Sequence, residues 1–284
     1  MRPVLVRASF RSLPFFALAA IAMGCASIPS RRAAVDSVKV RGAKQVSASD
    51  VEEKLATEPS PKFLGLFRGV VYDYELFNRA TLQRDLARVE RFYQARGYYE
   101  ARATAGLVKR VDPKHVEIDI EVDEGVPVVN HELRIEGVEK LPREIALAAE
   151  RAARDNLPDG EPFDEESFAK AEERLVTALT DRGYAYAKAK RDALIDVVTH
   201  RAVAVFAVTP GPPAKFGKIA IQGQSAGSDA PVPLELPEAP LRRAIDIEEG
   251  EPYSTADIQT ATQALLDLGV FASVDIVPDL PETP

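Results

Sequence analysis

Hydrophobic and polar positions follow a fixed order of helix and strand patterns in the first part of the chain. Over residues 78–96, apolar residues recur at helical spacing and form a single stripe. Over residues 115–122, apolar residues alternate strictly with polar ones, which predicts a strand with one buried face. A shorter helix is predicted to begin near Ser47 and to end at about Thr57. The order for this part of the chain is therefore strand, helix, helix, strand, strand, with the other two strands at Val38–Gly42 and Tyr99–Ala105.

Glycines at a constant interval indicate that this order is repeated. Gly97, Gly183 and Gly269 each follow a predicted helix, and each lies 86 residues from the next. Two further pairs keep the same step, namely Gly125 with Gly211 and Gly137 with Gly223. Self-similarity at a fixed interval is typical of tandem repeats. The sequence thus predicts an α+β fold of three tandem βααββ domains, which we call unit 1 (residues 35–126), unit 2 (127–212) and unit 3 (213–284).

Unit 2 repeats the pattern of unit 1 closely. Its first strand is predicted at Leu133–Gly137 and its first helix at about Leu141–Asn156. Asp164 is a natural N-cap for the second helix, which ends at Gly183. The two strands of the final hairpin are predicted at residues 184–190 and 202–208.

Unit 3 begins in the same way but does not finish. Strands are predicted at residues 218–223 and 270–276, on either side of the helices. The glycine spacing places the end of the last strand near position 297, whereas the sequence stops at residue 284. We therefore expect the third domain to lack its last strand and the chain to be a fragment of a longer protein. The alternative is a degenerate third copy that serves as a C-terminal cap.

Residues 1–24 are typical of a signal peptide. Arginines precede an apolar stretch over residues 13–23, and small residues follow it. That stretch is too short for a membrane span, which takes about 20 apolar residues. Cys25 is the single cysteine and resembles the lipidated cysteine of a bacterial lipoprotein, followed by a tether over residues 25–34. Ordinary signal-peptidase cleavage near Ala26 is the alternative.

Composition and charge argue against several classes of function. The net charge of −8 and the absence of a basic cluster in the sequence argue against a nucleic-acid partner. His115, His131 and His200 lie in separate segments without metal-ligand spacing. No nucleophile motif or phosphate-binding glycine loop occurs in the sequence. We therefore expect no enzymatic activity, no cofactor and no metal.

The junctions between elements carry a resemblance to a known family. Two second helices end in Arg-Gly-Tyr, at Arg96–Tyr98 and Arg182–Tyr184, and Thr209–Ile219 is similar to a junction between domains of that family. The Gly250–Ser254 entry to a second helix is similar as well. With the βααββ order, these motifs make residues 35–276 resemble tandem polypeptide-transport-associated (POTRA) domains. Such domains form the TamA-like and BamA-like periplasmic regions of the outer-membrane protein assembly family.

The resemblance implies a location and partners. It implies the periplasmic face of the outer membrane of a Gram-negative bacterium and a role in protein assembly, transport or translocation. The implied partners are extended or unfolded outer-membrane polypeptides, bound by β-augmentation, and proteins of an assembly complex. Family members place a β-barrel after the last domain, so the expected membrane attachment is either the lipid anchor or a C-terminal barrel that is missing from this sequence. The alternative is a non-catalytic envelope scaffold, an adaptor lipoprotein that binds folded partners only.

The family pattern also places the strand after the second helix at an open edge of the sheet. In unit 2 we expect this strand at residues 184–190, with tyrosines and lysines on one face and alanines on the other. An open edge can bind an extended chain, although lysines on an edge also protect a protein against aggregation. Both interpretations fit the candidate partner-binding residues, which are Tyr184, Ala185, Tyr186, Ala187 and Lys188.

The last strand of unit 2 has an apolar outer face. With residues 202, 204, 206 and 208 towards the core, the opposite face holds Val203 and Val205, where unit 1 has Glu117 and Asp119. An apolar outer face indicates a contact surface, so these two valines are also candidate partner-binding residues. Packing against a neighbouring domain and a one-residue shift in register are the alternatives.

Overall fold

The computed structural model describes residues 27–69, 72–224, 231–232, 234 and 236–281 of the 284-residue chain. The predicted signal peptide and Cys25 lie outside these residues. Within them, the predicted α+β fold with tandem βααββ units is confirmed, and units 1 and 2 each form a three-stranded sheet with two helices.

Unit 1 has the predicted order with one additional hairpin. Its sheet has the strand order β1-β5-β4, in which the last strand lies in the centre, parallel to β1 and antiparallel to β4. The strand β4 and the strand β1 are therefore both edges. The elements in chain order are β1 Ala34–Arg41, α1 Ala48–Glu52, β2 Lys62–Phe63, β3 Phe67–Arg68, α2 Arg79–Gln94, β4 Arg102–Asp112 and β5 His115–Asp123.

The first helix of unit 1 is shorter than the sequence predicts. α1 ends at Glu52 and not near Thr57, because the backbone beyond it turns towards the carboxylate of Asp85 on α2. The amides of Ala56 and Thr57 each donate to that carboxylate at 2.9 Å. A buried carboxylate thus replaces the hydrogen bonds that another helical turn would have supplied.

Unit 2 repeats the topology of unit 1, with the strand order β6-β8-β7 and the last strand again in the centre. The registers are equivalent, since Val40 is opposite Ile120 in unit 1 and Ile135 is opposite Phe206 in unit 2. The hairpin β2–β3 has no counterpart among the described residues of unit 2. The elements are β6 Val129–Glu136, α3 Arg143–Arg154, α4 Glu165–Thr180, β7 Lys188–Asp196 and β8 Arg201–Thr209.

The alternating patterns produce one-sided cores, as predicted. In unit 1 the apolar residues of β5 are buried against α2, whose stripe is also buried. In unit 2 the residues of β8 at 202, 204, 206 and 208 are buried, so the predicted register is confirmed and a one-residue shift is excluded. At the end of β6, Gly137 has φ +87°, and a Cβ there would lie 2.0 Å from the carbonyl oxygen of Val208. Only glycine fits this crossing, which explains one of the repeated glycines.

Unit 3 departs from the prediction in its strands. The predicted strands at residues 218–223 and 270–276 are wrong, because neither segment pairs as a long strand in the described structure. In units 1 and 2 the corresponding strands pair only through the central last strand, and the described residues of unit 3 contain no such strand. Their apolar residues still pack on the helices. The elements are β9 Gly223–Gln224, β10 Pro231–Val232, α5 Glu238–Ile245 and α6 Thr255–Asp267.

Consecutive units are joined by the same backbone hydrogen bond. The amide of Val128 donates to the carbonyl of Gly97 at 2.8 Å, and the amide of Ala214 donates to the carbonyl of Gly183 at 2.6 Å. A Cβ on Gly97 would lie 2.9 Å from the backbone nitrogen of Phe163. Gly97, which ends the second helix of unit 1, therefore also lets unit 2 approach closely.

Candidate interaction edges of unit 2

The residues predicted to form the partner-binding strand of unit 2 do not share a strand face. Gly183, with φ +95°, ends the helical turn after α4, and the chain then makes a further turn instead of extending. The amide of Ala187 donates to the carbonyl of Tyr184 at 2.9 Å and closes that turn. Tyr184 is 8% exposed and Ala187 is 7% exposed, so both belong to the core. The expected face of tyrosines and lysines is thus wrong.

The other predicted residues lie at the joint with unit 3 and at the start of the edge strand. Ala185 and Tyr186 are half-buried in the turn. Tyr186 lies over the linker, since a Cβ on Gly211 would be 2.7 Å from the Cβ of Tyr186. Lys188 is exposed and begins β7, opposite Thr209. Among the five, only Lys188 lies on the edge strand.

The strand β7 itself is an open edge, as predicted for the strand after the second helix. It pairs only with β8, over its whole length, and no described strand lies on its other side. In a sheet, such an edge presents backbone groups that an extended chain can bind. The accessible edge therefore runs from Lys188 to Asp196.

At the start of the corresponding edge of unit 1, a glutamate accepts the hydrogen of one backbone amide. The amide of Ala103 on β4 donates to Oε1 of Glu90 on α2 at 3.1 Å. We call an edge amide capped when a side-chain carboxylate accepts its hydrogen in this way. An incoming strand has to displace that carboxylate, at a cost of about 1.5–3 kcal/mol for a hydrogen bond to a charged group.

In unit 2 the equivalent amide is not capped by a described side chain. Ala189 pairs with Val208 as Ala103 pairs with Val122, which places its amide on the open side. The residue equivalent to Glu90 is Val176, which packs against the core of unit 2. Farther along the edge, the amide of Ala193 donates a hydrogen bond to Oδ1 of Asp192 at 2.9 Å. The start of β7 is therefore the accessible part.

A groove runs between β7 and α4. It has a volume of about 300 Å³, and two aromatic rings form its floor. The rings of Phe163 and Phe168 lie 5.1 Å apart, and Phe168 packs 5.2 Å from Phe206 in the core. Arg191 closes one side through an ion pair with Glu172. An apolar side chain of an added strand has a site here, lined by Tyr99, Phe163, Glu165, Phe168, Arg191 and Ala193.

Unit 1 contributes part of this groove and fixes its position. Arg91 on α2 forms an ion pair with Glu165 on α4 at 2.6 Å, and the Glu165 amide donates to the carbonyl of Ala95 at 2.8 Å. The hydrogen bond with Glu165 raises the pKa of Arg91 above its ordinary value. Burial, and then the charge of Glu165, raise the pKa of Tyr99, which therefore stays neutral in the groove.

The outer face of the unit 2 sheet has an apolar centre, as the sequence indicates. Val203 and Val205 are half-buried on the face opposite the core. Leu194 lies beside Val203 on β7 and is 57% exposed. On the β6 side, Glu132 and Arg134 lie beside the valines. These two residues form a bidentate ion pair, with hydrogen bonds of 2.7 and 2.9 Å. This surface adjoins both edges of the sheet.

Sequence reasoning missed the capping glutamate Glu90, which unit 1 has and unit 2 lacks. The signal was available in the repeat itself, because a glutamate of unit 1 aligns with an apolar residue of unit 2. The sequence pattern does not tell which edge amide this glutamate reaches, because Glu90 and Ala103 are 13 residues apart. Among the described residues there is no group of three side chains that could bind a metal ion. No helix in the described ranges has both the length and the apolar character to cross a membrane.

Comparison with known proteins identifies relatives of the chain. The POTRA family model, described as "Surface antigen variable number repeat", matches residues 33–125 and 214–283, more than half of the chain. The outer membrane protein assembly factor BamA of Neisseria meningitidis serogroup B is 24% identical over 228 residues. That alignment covers 78% of this chain and 26% of the relative. The chain therefore spans about a quarter of the length of this curated relative.

Solved structures also show similarity to the chain. A crystal structure of POTRA domains 3–5 of BamA from Haemophilus influenzae has a TM-score of 0.47 at 19% identity, covering 89% of this chain and 92% of that one. The N-terminal domain of Omp85 from the cyanobacterium Thermosynechococcus elongatus has a TM-score of 0.36 at 17% identity. Its coverage is 87% of this chain and 90% of that one.

Proposed function

The chain belongs to the POTRA family, and on this basis we propose that it is a periplasmic arm that binds extended polypeptides during the assembly of outer-membrane proteins. Binding occurs by β-augmentation on unit 2, at the accessible start of β7. The arm acts without catalysis and without a cofactor, at the periplasmic face of the outer membrane. Its partners are unfolded outer-membrane polypeptides and proteins of an assembly complex.

The observation that supports this proposal is the difference between two equivalent edges. The Ala103 amide in unit 1 is capped by Glu90, whereas no described side chain caps the Ala189 amide in unit 2, where Val176 takes the place of Glu90 in the repeat. The groove next to β7 offers apolar contacts for alternate side chains of an added strand. The edge supplies affinity through the main chain, and the groove selects apolar residues.

Photocrosslinking in cells tests the proposal. The photoreactive residue p-benzoylphenylalanine is placed at Lys190 on β7 or, as a matched control, at Thr104 on β4, the equivalent and exposed position of unit 1. The exported full chain is irradiated during pulse-labelling of outer-membrane proteins. We expect adducts with newly made outer-membrane polypeptides from position 190 but not from position 104.

The Val176→Glu variant sharpens this experiment. It places a glutamate where Glu90 lies in unit 1, so we expect the adducts from position 190 to fall by about tenfold or more. A Val176→Ile variant keeps the apolar side chain and is expected to retain them. Adducts with folded proteins alone would contradict the proposal and favour a scaffold that never binds unfolded polypeptides.

Attachment to the membrane through a lipid on Cys25 is a separate part of the proposal. Cys25 lies outside the described residues, and its support is the sequence pattern around it. Incorporation of labelled palmitate into the wild-type chain, and its loss in Cys25→Ser, is the expected result. Labelling that persists in the variant would place the lipid elsewhere.

A further inference from the structure

We propose that unit 2 has a second docking site for an extended polypeptide, at the opposite edge of its sheet, between β6 and α3. The occupant is a strand that alternates apolar with positively charged side chains. The inference rests on the proposed function, and it assigns a site that differs from the β7 edge. It is carried by a second comparison between the repeats.

In unit 1 the β1 edge is capped by a glutamate of the first helix. The amide of Val40 points away from β5 and donates to Oε1 of Glu52, the last residue of α1, at 3.1 Å. Near the start of β1, the amide of Val35 donates to the carbonyl of Glu75, and the carbonyl of Val35 accepts from the amide of Ser60. Both parts of this edge are therefore occupied within the unit.

In unit 2 only the start of the equivalent edge is occupied. Asn130, the counterpart of Val35, is bonded by Glu161 and Gly160. The counterpart of Val40 is Ile135, which has the same register and therefore directs its amide outward. Residues here correspond at an offset of 95, and the counterpart of Glu52 is Leu147. Within the described structure, no side chain accepts the Ile135 amide.

A groove lies beside this edge, next to Leu147. The groove has a volume of about 270 Å³ and lies between the inner face of β6 and α3. The residues that α3 buries are both alanines, Ala149 and Ala153, whereas α1 buries Val51, so smaller side chains leave room here. Leu147 is 49% exposed at the groove. An apolar side chain fits here, among Leu133, Ile135, Val138, Ala146 and Leu147, with Arg143 and Glu150 also in the lining.

The charges on the outer face of the edge define the other side of the occupant. Side chains of an added strand that point away from the groove lie beside Glu132, Arg134 and Glu136. Glu132 neutralises Arg134 through a bidentate ion pair, which leaves Glu136 as the net charge. A lysine or arginine on the added strand complements this face. In unit 1 Arg41 pairs with Asp119 at 3.2 Å, which leaves Lys39, of the opposite sign, on the equivalent face.

Crosslinking to a defined peptide tests the site in the purified full chain. The probe is a short fluorescein-labelled peptide that alternates valine with lysine. We place p-benzoylphenylalanine at Arg134 in unit 2 or, as the matched control, at Lys39 in unit 1. The expected result is a peptide adduct from position 134 and none from position 39. A peptide that alternates valine with glutamate is expected to crosslink far less.

Reciprocal substitutions then test the role of the capping position. Leu147→Glu is expected to reduce the adduct from position 134 by about tenfold, while Leu147→Met leaves it unchanged. Glu52→Leu is expected to create an adduct at position 39, which loss of stability cannot do. Ile135→Pro removes the outward amide of the edge strand together with a side chain of the groove, and we expect the same loss of the adduct. Circular dichroism confirms that each variant is folded.

Four outcomes overturn the inference. Unchanged adducts in a folded Leu147→Glu variant would show that the edge amide is not used. Adducts that join two copies of the chain would identify self-pairing as the occupant. Adducts from Lys190 without any from Arg134 would refute this second site and leave the proposed function intact, whereas the absence of both would refute the two together.

Discussion

Replacement of Asp85 by alanine is expected to unfold unit 1 selectively. The carboxylate of Asp85 is fully buried between α2 and the segment after α1. It accepts hydrogen bonds from the amides of Ala56 and Thr57 at 2.9 Å and from the hydroxyl of Thr57 at 2.5 Å. It also pairs with Arg88 at 2.5 Å. The variant leaves two amides, a hydroxyl and a guanidinium without this acceptor.

The magnitude follows from these four partners. A buried donor without an acceptor costs about 1–3 kcal/mol, and breaking a buried charge pair costs about 3–5 kcal/mol. Arg88 is half-exposed and Ala56 is an exposed residue, so both can be rehydrated, and the two buried donors of Thr57 dominate. We expect Asp85→Ala to lower the free energy of unfolding of unit 1 by about 4 kcal/mol, a factor of about a thousand in the folding equilibrium.

Urea denaturation followed by circular dichroism, combined with hydrogen exchange, measures this loss for each unit. The matched control is Asp73→Ala, at an exposed position of the same unit. Amides of β5 are expected to exchange faster in the Asp85 variant, while those of β8 stay protected. The Val40 amide is expected to lose protection as well, since Asp85 holds the segment that follows Glu52. A loss below about 1 kcal/mol would refute the assignment of these hydrogen bonds as a main support of unit 1.

Three further predictions concern single residues. Burial, and then the charge of Glu124, raise the pKa of Tyr93. The stabilisation by the neutral Tyr93 is therefore complete below the pKa of about 10 in the unfolded chain and is lost as the pH rises above it. Denaturation at several pH values should show that the free energy of unfolding falls above pH 10, and that it falls less in Tyr93→Phe. Leu64 has φ +49° and is 77% exposed, so Leu64→Gly should stabilise unit 1 by about 1 kcal/mol in urea titrations. Gly137→Ala should destabilise unit 2 by about 3 kcal/mol, and an unchanged midpoint would contradict the close approach to Val208.

Much of the architecture could be predicted because it depends on local patterns and their repetition. The alternation over residues 115–122 and the stripe of α2 each match the observed burial. Asn78 and Asp164 act as N-caps through their side-chain oxygens. These features involve residues close in sequence, so one chain contains enough information to locate them.

Features that depend on distant contacts were not predictable in the same way. The turn at Tyr184–Ala187 depends on packing against α4. Because of this turn, β7 begins only at Lys188, after the first of the alternating alanines. The segments of unit 3 have strand-like sequences, but a strand also needs a paired neighbour, which the described residues there do not supply. The capping by Glu52 and Glu90 depends on the position of each helix over an edge. These are tertiary relations that a local pattern does not contain.

Amide hydrogen exchange with and without an added strand shows whether unit 2, and not unit 1, binds an extended chain at its sheet edges. The full chain is mixed with the valine–lysine peptide, and the exchange of four edge amides is followed by nuclear magnetic resonance. We expect the peptide to protect the amides of Ala189 and Ile135 in unit 2 and to leave the exchange of those of Ala103 and Val40 in unit 1 unchanged. Equal protection of both units, or protection confined to unit 1, would contradict this expectation.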